Sequence, residues 1–160
     1  MIAFRYLVLF VLLLLPLMAM AEETKEKDDQ AQNWTVILGL VTRHVAPSDD
    51  TNDSSRMLGM SYSNWVMARF TNSYDDASVF WGRRFQTKEL RHPRYPNFFI
   101  QGNLYAGLLH GYGDRFPNIA GVTLGGFPTA GLGYKKTVLE TLYVPTPSGG
   151  VFTSFLTFRF

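Results

Sequence analysis

Past residue 33, apolar and polar positions alternate in short segments rich in β-branched and aromatic residues, broken by Asp, Asn, Ser, Gly and Pro. Period-two alternation marks strands whose two faces meet different surroundings. Eight such segments are predicted, at 33–45, 56–63, 65–72, 77–86, 97–110, 119–134, 137–144 and 151–160. The last is the clearest. Phe152, Leu156, Phe158 and Phe160 share one parity, and Thr153, Thr157 and Arg159 share the other. An apolar outer face, a more polar inner face and a terminal Phe fit a bacterial outer-membrane strand, and closing the sheet leaves no unpaired edge in lipid. A spanning strand needs about 9–11 residues, so the chain has room for eight and not for twelve. The expected fold is all-β, an eight-stranded antiparallel transmembrane β-barrel over residues 33–160. An edge strand of an exported β-sandwich is the alternative reading of the last segment.

The start of the chain follows a different rule. Arg5 precedes an apolar run from Tyr6 to Leu15, followed by Pro16 and the small-residue end Ala19-Met20-Ala21. That order of charge, apolar core and A-x-A site predicts a cleaved signal peptide, residues 1–21, because the run is shorter than the roughly 20 residues a membrane helix needs. Residues 22–32, EETKEKDDQAQ, read as a flexible charged lead-in.

Composition narrows the chemistry. The 160 residues include no cysteine, which excludes disulfides, thiolate metal sites and a Cys nucleophile. Fifteen basic residues against 13 acidic ones, without a basic cluster, give nucleic-acid binding no support. The three histidines lie on separate segments, so no metal site is expected, and Ser48 to Asp53 lacks the glycine and terminal glutamate of a calcium loop. That loop could instead meet divalent ions bridging lipopolysaccharide, or simply be solvated.

Parity also separates an inside from an outside. Along the fifth segment, Phe98, Ile100, Leu104, Ala106 and Leu108 are expected outward, with Gln101 and Asn103 inward; Arg69, Glu140 and Arg159 are expected inward too. With a periplasmic N-terminus, Gln101, Asn103, Glu140 and Arg159 gather in the periplasmic half, and mostly apolar or small groups such as Gly107, Leu109 and Val144 line the outer half. Such an interior suits an acyl chain better than a water-filled pore; ordinary packing of a small barrel is the alternative.

The outer loops are then about 46–55, 73–76, 111–118 and 145–150, and His44, Asn72, Ser73 and His110 gather at one rim. A Ser or an acceptor hydroxyl needs a base at neutral pH, and His is the usual one, oriented by Asn, Asp or a backbone group. His92, in Arg91-His92-Pro93-Arg94-Tyr95-Pro96, falls in a periplasmic connection.

At these residues the chain resembles the lipid A palmitoyltransferase family of Gram-negative outer membranes. Val41-Thr42-Arg43-His44 resembles the end of that family's first strand, with its catalytic His. Phe70-Thr71-Asn72-Ser73-Tyr74 resembles its Asp-Ser pair followed by an aromatic. Residues 128–145, PTAGLGYKKTVLETLYVP, and the closing Phe155-Leu156-Thr157-Phe158-Arg159-Phe160 match its Pro-led strand, Gly-Tyr turn, Tyr-x-Pro and final strand. The resemblance implies an eight-stranded barrel that moves a palmitoyl chain from a phospholipid sn-1 position to lipid A, without a cofactor, using an interior pocket that measures acyl length. Lipopolysaccharide and phospholipid would be its substrates, and the barrel is expected as a monomer. The resemblance makes His44 and Ser73 catalytic, with Asn72 standing where the family has Asp. An amide cannot stabilise imidazolium as a carboxylate does, so Asp75 or Asp76 are the nearby substitutes. The family's leading amphipathic helix is missing. Of its prolines at lateral gaps only Pro128 has a counterpart, with Gly39 and Lys136 in two other places.

The expected function is therefore outer-membrane acyl transfer to lipid A, with Ser73 as nucleophile or hydrogen-bond donor. A lipid A deacylase or phospholipase, or a non-enzymatic structural barrel, are the alternatives.

Overall fold

The computed structural model describes residues 34–45, 53, 56–146 and 149–160. The predicted signal peptide and lead-in lie outside the described residues. Nine strands follow in chain order: β1 (Thr35–Val45), β2 (Met57–Tyr62), β3 (Trp65–Thr71), β4 (Ala77–Gln86), β5 (Leu90–Arg91), β6 (Phe98–His110), β7 (Val122–Tyr134), β8 (Thr137–Thr146) and β9 (Gly149–Arg159). All pairings are antiparallel, and β1 pairs with β9, so the sheet closes into a barrel. Eight strands make the wall. The two residues of β5 prolong the β4 edge along β6, joined to it by a reciprocal pair of bonds between Thr87 and Gly102.

The predicted segments correspond to the eight wall strands with shifts of a few residues at their ends. The largest shifts are at the third long hairpin and the last one. Residues 119–121 fold into the turn before β7, around Ala120 and Gly121 at positive φ. Residues 145–146 and 149–150 stay in the ladder, where Pro145 pairs with Gly150, so both strands run past the predicted ends at 144 and 151.

Wall parity matches the expectation on β6 and β9. Gln101, Asn103, Thr157 and Arg159 point inward, while Phe98, Ile100, Leu108, Phe152 and Phe158 point outward; Leu104 also has outward parity but is only 4% exposed. Arg69 is a correction. It was expected inside, yet it lies on the outer face in register with Leu58 and Val79. On β3 the small Val66 and Ala68 turn inward beside Gly59 and Gly82, which puts Trp65, Met67 and Arg69 outside.

An aromatic ring surrounds the rim that carries both ends of the barrel. Trp34 lies against Tyr62, Trp65 stacks on Trp81, and Phe98 meets Tyr134, all exposed. Between this terminal rim and the opposite loop rim, the outer wall carries Leu38, Leu58, Met60, Met67, Ile100, Leu132 and Leu139, again exposed.

The interior divides in two. Towards the terminal rim it is polar and filled. Glu140 is 0% exposed and accepts hydrogen bonds from Asn103 Nδ2 (2.9 Å), Tyr105 Oη (3.0 Å), Thr129 Oγ1 (2.8 Å) and Thr157 Oγ1 (3.2 Å). Below it, Arg159 binds Glu89 (2.5 Å) and Gln101 (2.5 Å), and Arg91 holds the other side of Glu89. Glu89 comes from the β4–β5 connection, which so stops the terminal end. Burying a carboxylate is costly unless several donors hold it, and here four residues do. Glu140→Ala strands those donors and should lower unfolding free energy by about 3–5 kcal/mol, with Glu140→Gln in between. Urea titration of the purified barrel, followed by Trp fluorescence, measures it; an unchanged midpoint would exclude this cluster as the floor.

Candidate functional site

Above that floor the barrel is hollow. A cavity of about 850 Å³ is lined by Ile37, Val66, Ala68, Phe80, Tyr105, Leu109, Phe127, Leu142, Val144 and Phe155, with His44, Ser73, Asn72 and Tyr112 towards the loop rim. An eight-stranded barrel has an interior just wide enough for side chains or one ligand. Small residues line part of this space: Ala68 on β3, Gly125 and Gly126 on β7, and Gly150 on β9. The apolar outer half of the interior was expected, and the lining bears it out.

His44 reaches this cavity because of a β-bulge. Register on β9 runs from Gly39↔Phe155 directly to Val41↔Ser154, so Leu40 is the extra residue. Leu40 and Val41 both point outward, and the flipped parity turns Thr42 and His44 inward. Thr42 bonds Thr153 across the pair (3.2 Å). His44 keeps only 6% of its side chain exposed.

A carboxylate then fixes the ring. His44 Nδ1 lies 2.7 Å from Asp53 Oδ1, the same oxygen accepts the His44 backbone N–H (3.1 Å), and Arg43 holds Oδ2 (3.3 Å). A carboxylate only accepts, so the Nδ1 proton stays on the ring and the lone pair is on Nε2. That Nε2 is buried and without a hydrogen-bond partner among the described residues. An oriented imidazole with a free Nε2 at the mouth of an apolar cavity is equipped as a general base. Asp53 was not among the residues proposed from the sequence. It lies nine residues past His44 in a loop read as solvated or as meeting divalent ions, and no local spacing signals the contact.

Asn72 has another task. Its amide donates to Gly111 O (2.8 Å) and Ser78 Oγ (3.1 Å), and its carbonyl accepts Tyr74 N–H (2.8 Å) and Asp76 N–H (3.1 Å). Four bonds use up the side chain, so Asn72 braces the β3–β4 turn and none of its bonds goes to His44. Gly111, at φ +109°, permits this contact; a Cβ there would fall 2.5 Å from Ala77 O and Ser78 Oγ. Asp76 bridges to Arg115 (3.2 Å), whose guanidinium covers Tyr74, tying this turn to the β6–β7 loop. The brace presents Ser73, half-buried, in the cavity lining. No hydrogen bond joins Ser73 to His44 among the described residues. Tyr112, from the same loop, lines the cavity as well, and burial pushes its hydroxyl up to about 12, so it remains a donor at neutral pH. His110 sits at the rim but has outward parity and lies exposed beside Gly121. His92, by the terminal rim, stacks near Tyr95.

The wall has two interruptions at the level of the cavity. β1 pairs with β2 only from Thr35 to Leu38, and among the described residues the strand pairing of Gly39 to Val45 is with β9 alone. β7 pairs with β8 only from Thr129 onward, so Val122 to Pro128 pair with β6 alone. Pro128 stands at that second break and has no N–H to donate. At the first break Gly39 takes the place, where a Cβ would lie 2.7 Å from Met57 Cβ. Leu124, 83% exposed on the outer face, still lines the cavity, so the second interruption opens it to the outside.

Neither the protein-family models nor the curated proteins contain a match to this chain.

The His44 bond holds the exposed Asp53 carboxyl below the ordinary carboxylate range. A carboxyl with a lowered folded pKa adds stability above its unfolded pKa and loses it as pH falls through the folded value. Asp53→Asn should therefore lower Tm at neutral pH, with the difference from wild type lost at strongly acidic pH, once the lowered folded value has been passed. Thermal melts of the two proteins at both pH values check the contact.

Proposed function

We propose that the protein is a Gram-negative outer-membrane acyltransferase that moves a palmitoyl-type acyl chain from a glycerophospholipid to lipid A. The observation that carries this reading is the closed-bottomed apolar cavity with the unpartnered Nε2 of His44 at its mouth. Its volume falls within the roughly 300–1,000 Å³ of small-molecule sites, and its lining suits a hydrocarbon chain. The apolar outer wall and the aromatic ring at the terminal rim support placement in a bilayer. The two wall interruptions supply lateral routes, since a lipid tail enters sideways without crossing the polar loops.

In this reading the acyl chain of the donor lies in the cavity with its ester at the level of His44. Nε2 takes the proton of the acceptor hydroxyl as that oxygen attacks the ester carbonyl. Asp53 stabilises the imidazolium that forms, the task that a carboxylate performs and the Asn72 amide does not. The tetrahedral oxyanion is met by the Ser73 hydroxyl, and the Tyr112 hydroxyl is a second donor on the lining. The carbon–oxygen bond to the donor glycerol then breaks, and the imidazolium returns its proton to the leaving oxygen. Ser73 acts as a donor here, consistent with its lack of a bond to the base. Asn72 contributes by shaping the turn that carries it.

Mass spectrometry of lipid A from cells expressing each variant tests the activity. Wild type should add one acyl chain. His44→Asn should reduce that transfer by about 10²–10⁴-fold and Ser73→Ala by about 10²-fold, at equal barrel abundance. Lighter lipid A would point to a deacylase, and unchanged lipid A in wild type would remove the enzyme reading. The cavity can be tested separately. Ala68→Phe fills its wall, so the transferred chain should become shorter while turnover of short-chain donors persists; an unchanged chain length would place the acyl group elsewhere.

A further inference from the structure

The outer face of the β1–β2 interruption carries a feature that acyl transfer does not use. A groove of about 920 Å³ runs along it, lined by Arg43, Arg56 and Arg69 together with Leu40, Val41 and Leu58. Thr42, Met57, Phe70 and Thr71 line both this groove and the inner cavity, so the two adjoin through the break in the wall. Arg56 and Arg69 have no carboxylate partner among the described residues, while Arg43 shares Asp53 with His44. Arg69 lies one step loop-ward of an apolar row formed by Met60, Met67 and Trp81, and Arg56 lies a further step towards the loops, its carbonyl bonded to Thr71 N–H.

Charge on a lipid-facing strand is unfavourable by about 2–4 kcal/mol at the bilayer midplane and by about 0–1 near the interface. Arginines at this height extend towards the headgroup layer, their stems on the apolar wall. The guanidinium fork matches phosphate oxygens, in the bidentate manner that a lysine cannot reproduce. We propose that Arg43, Arg56 and Arg69 form a binding site for a lipid-borne phosphate at the mouth of the β1–β2 gap. The phosphate is held outside while a chain of the same lipid, or its reacting oxygen, reaches the cavity through the gap. The site rests on the membrane placement proposed above, and it defines which lipids present themselves to His44.

Binding of lipids to the full-length, detergent-solubilised protein by native mass spectrometry tests the site without relying on turnover. The probes are bisphosphorylated lipid A, the same lipid A dephosphorylated, and phosphatidylglycerol. The variants are Arg56→Gln/Arg69→Gln, each single variant of that pair and, as a control that removes one outer-face arginine elsewhere, Arg83→Gln, whose guanidinium covers Trp65 near the terminal rim. Wild type should bind a phosphate-bearing lipid about ten-fold or more tightly than dephosphorylated lipid A. The double variant should lose that preference and Arg83→Gln should keep it. Preference for lipid A over phosphatidylglycerol assigns the site to the acceptor, and the reverse assigns it to the donor; equal binding assigns it to the phosphate common to both. Equal affinity for phosphorylated and dephosphorylated lipid in wild type, or an equal loss in Arg83→Gln, overturns the site. Phosphate-dependent binding without acyl transfer in cells would remove the enzyme reading and keep the site, so the two failures are distinct.

Discussion

The carboxylate of Glu140, held by four donors in the middle of the barrel, is the interaction on which the rest of the arrangement depends. A closed eight-stranded sheet has a fixed and narrow interior, and whatever fills one level excludes anything else from it. The donors come from β6, β7 and β9 and converge on β8, so one side chain draws four consecutive strands together. With Arg159, Gln101 and Glu89 beneath it, this cluster closes the terminal half. The polar atoms there are satisfied mainly by one another, so no apolar chain can be admitted without stranding them. The floor of the apolar cavity is therefore set by hydrogen bonding, and its walls by apolar side chains such as Ile37, Leu109 and Phe155 with the small Ala68, Gly125 and Gly126 between them.

Much of this was legible in the sequence because period-two alternation survives in long strands with distinct faces. β6 and β9 gave correct inward and outward sets, and Glu140 and Arg159 fell inside as expected. Arg69 did not, because the parity assigned to β3 was the reverse of the one its packing imposes. There the need to pack Val66 and Ala68 against glycines on both neighbouring strands decided the parity. The bulge at Leu40 was invisible for a related reason. An unbroken alternation from Thr35 would put His44 outside, and only the pairing with β9, more than a hundred residues away, inserts the extra residue.

The candidate site shows the same division. His44 and Ser73 were found from their positions at strand ends, and they line one cavity. The orienting group was sought beside Ser73, in the Asn72 amide or the Asp75 and Asp76 carboxylates, because the resemblance to lipid A palmitoyltransferases put an acid there. The carboxylate that meets His44 is Asp53, on the far side of the rim in sequence terms. The amide at position 72 and the acid at position 53 then belong together. Asn72 has two donors and a carbonyl, and its four bonds require both; a carboxylate could not donate to Gly111 O and Ser78 Oγ.

The interruption between β1 and β2 joins these elements. The bulge that turns His44 inward lies on the stretch of β1 that has left β2, and the three arginines stand on the outer side of the same break. Pairing β2 to the rest of β1 would demand a continuous ladder at Gly39 and beyond, where the strand has already taken an extra residue and changed its facing. Bulged strands bend and lose local pairing, so orienting His44 into the barrel and opening the wall beside it follow from one irregularity. A lipid held by its phosphate at Arg56 and Arg69 would meet the opening next to the base. The chemistry proposed for the interior and the recognition proposed for the outer face thus depend on the same register shift at Leu40.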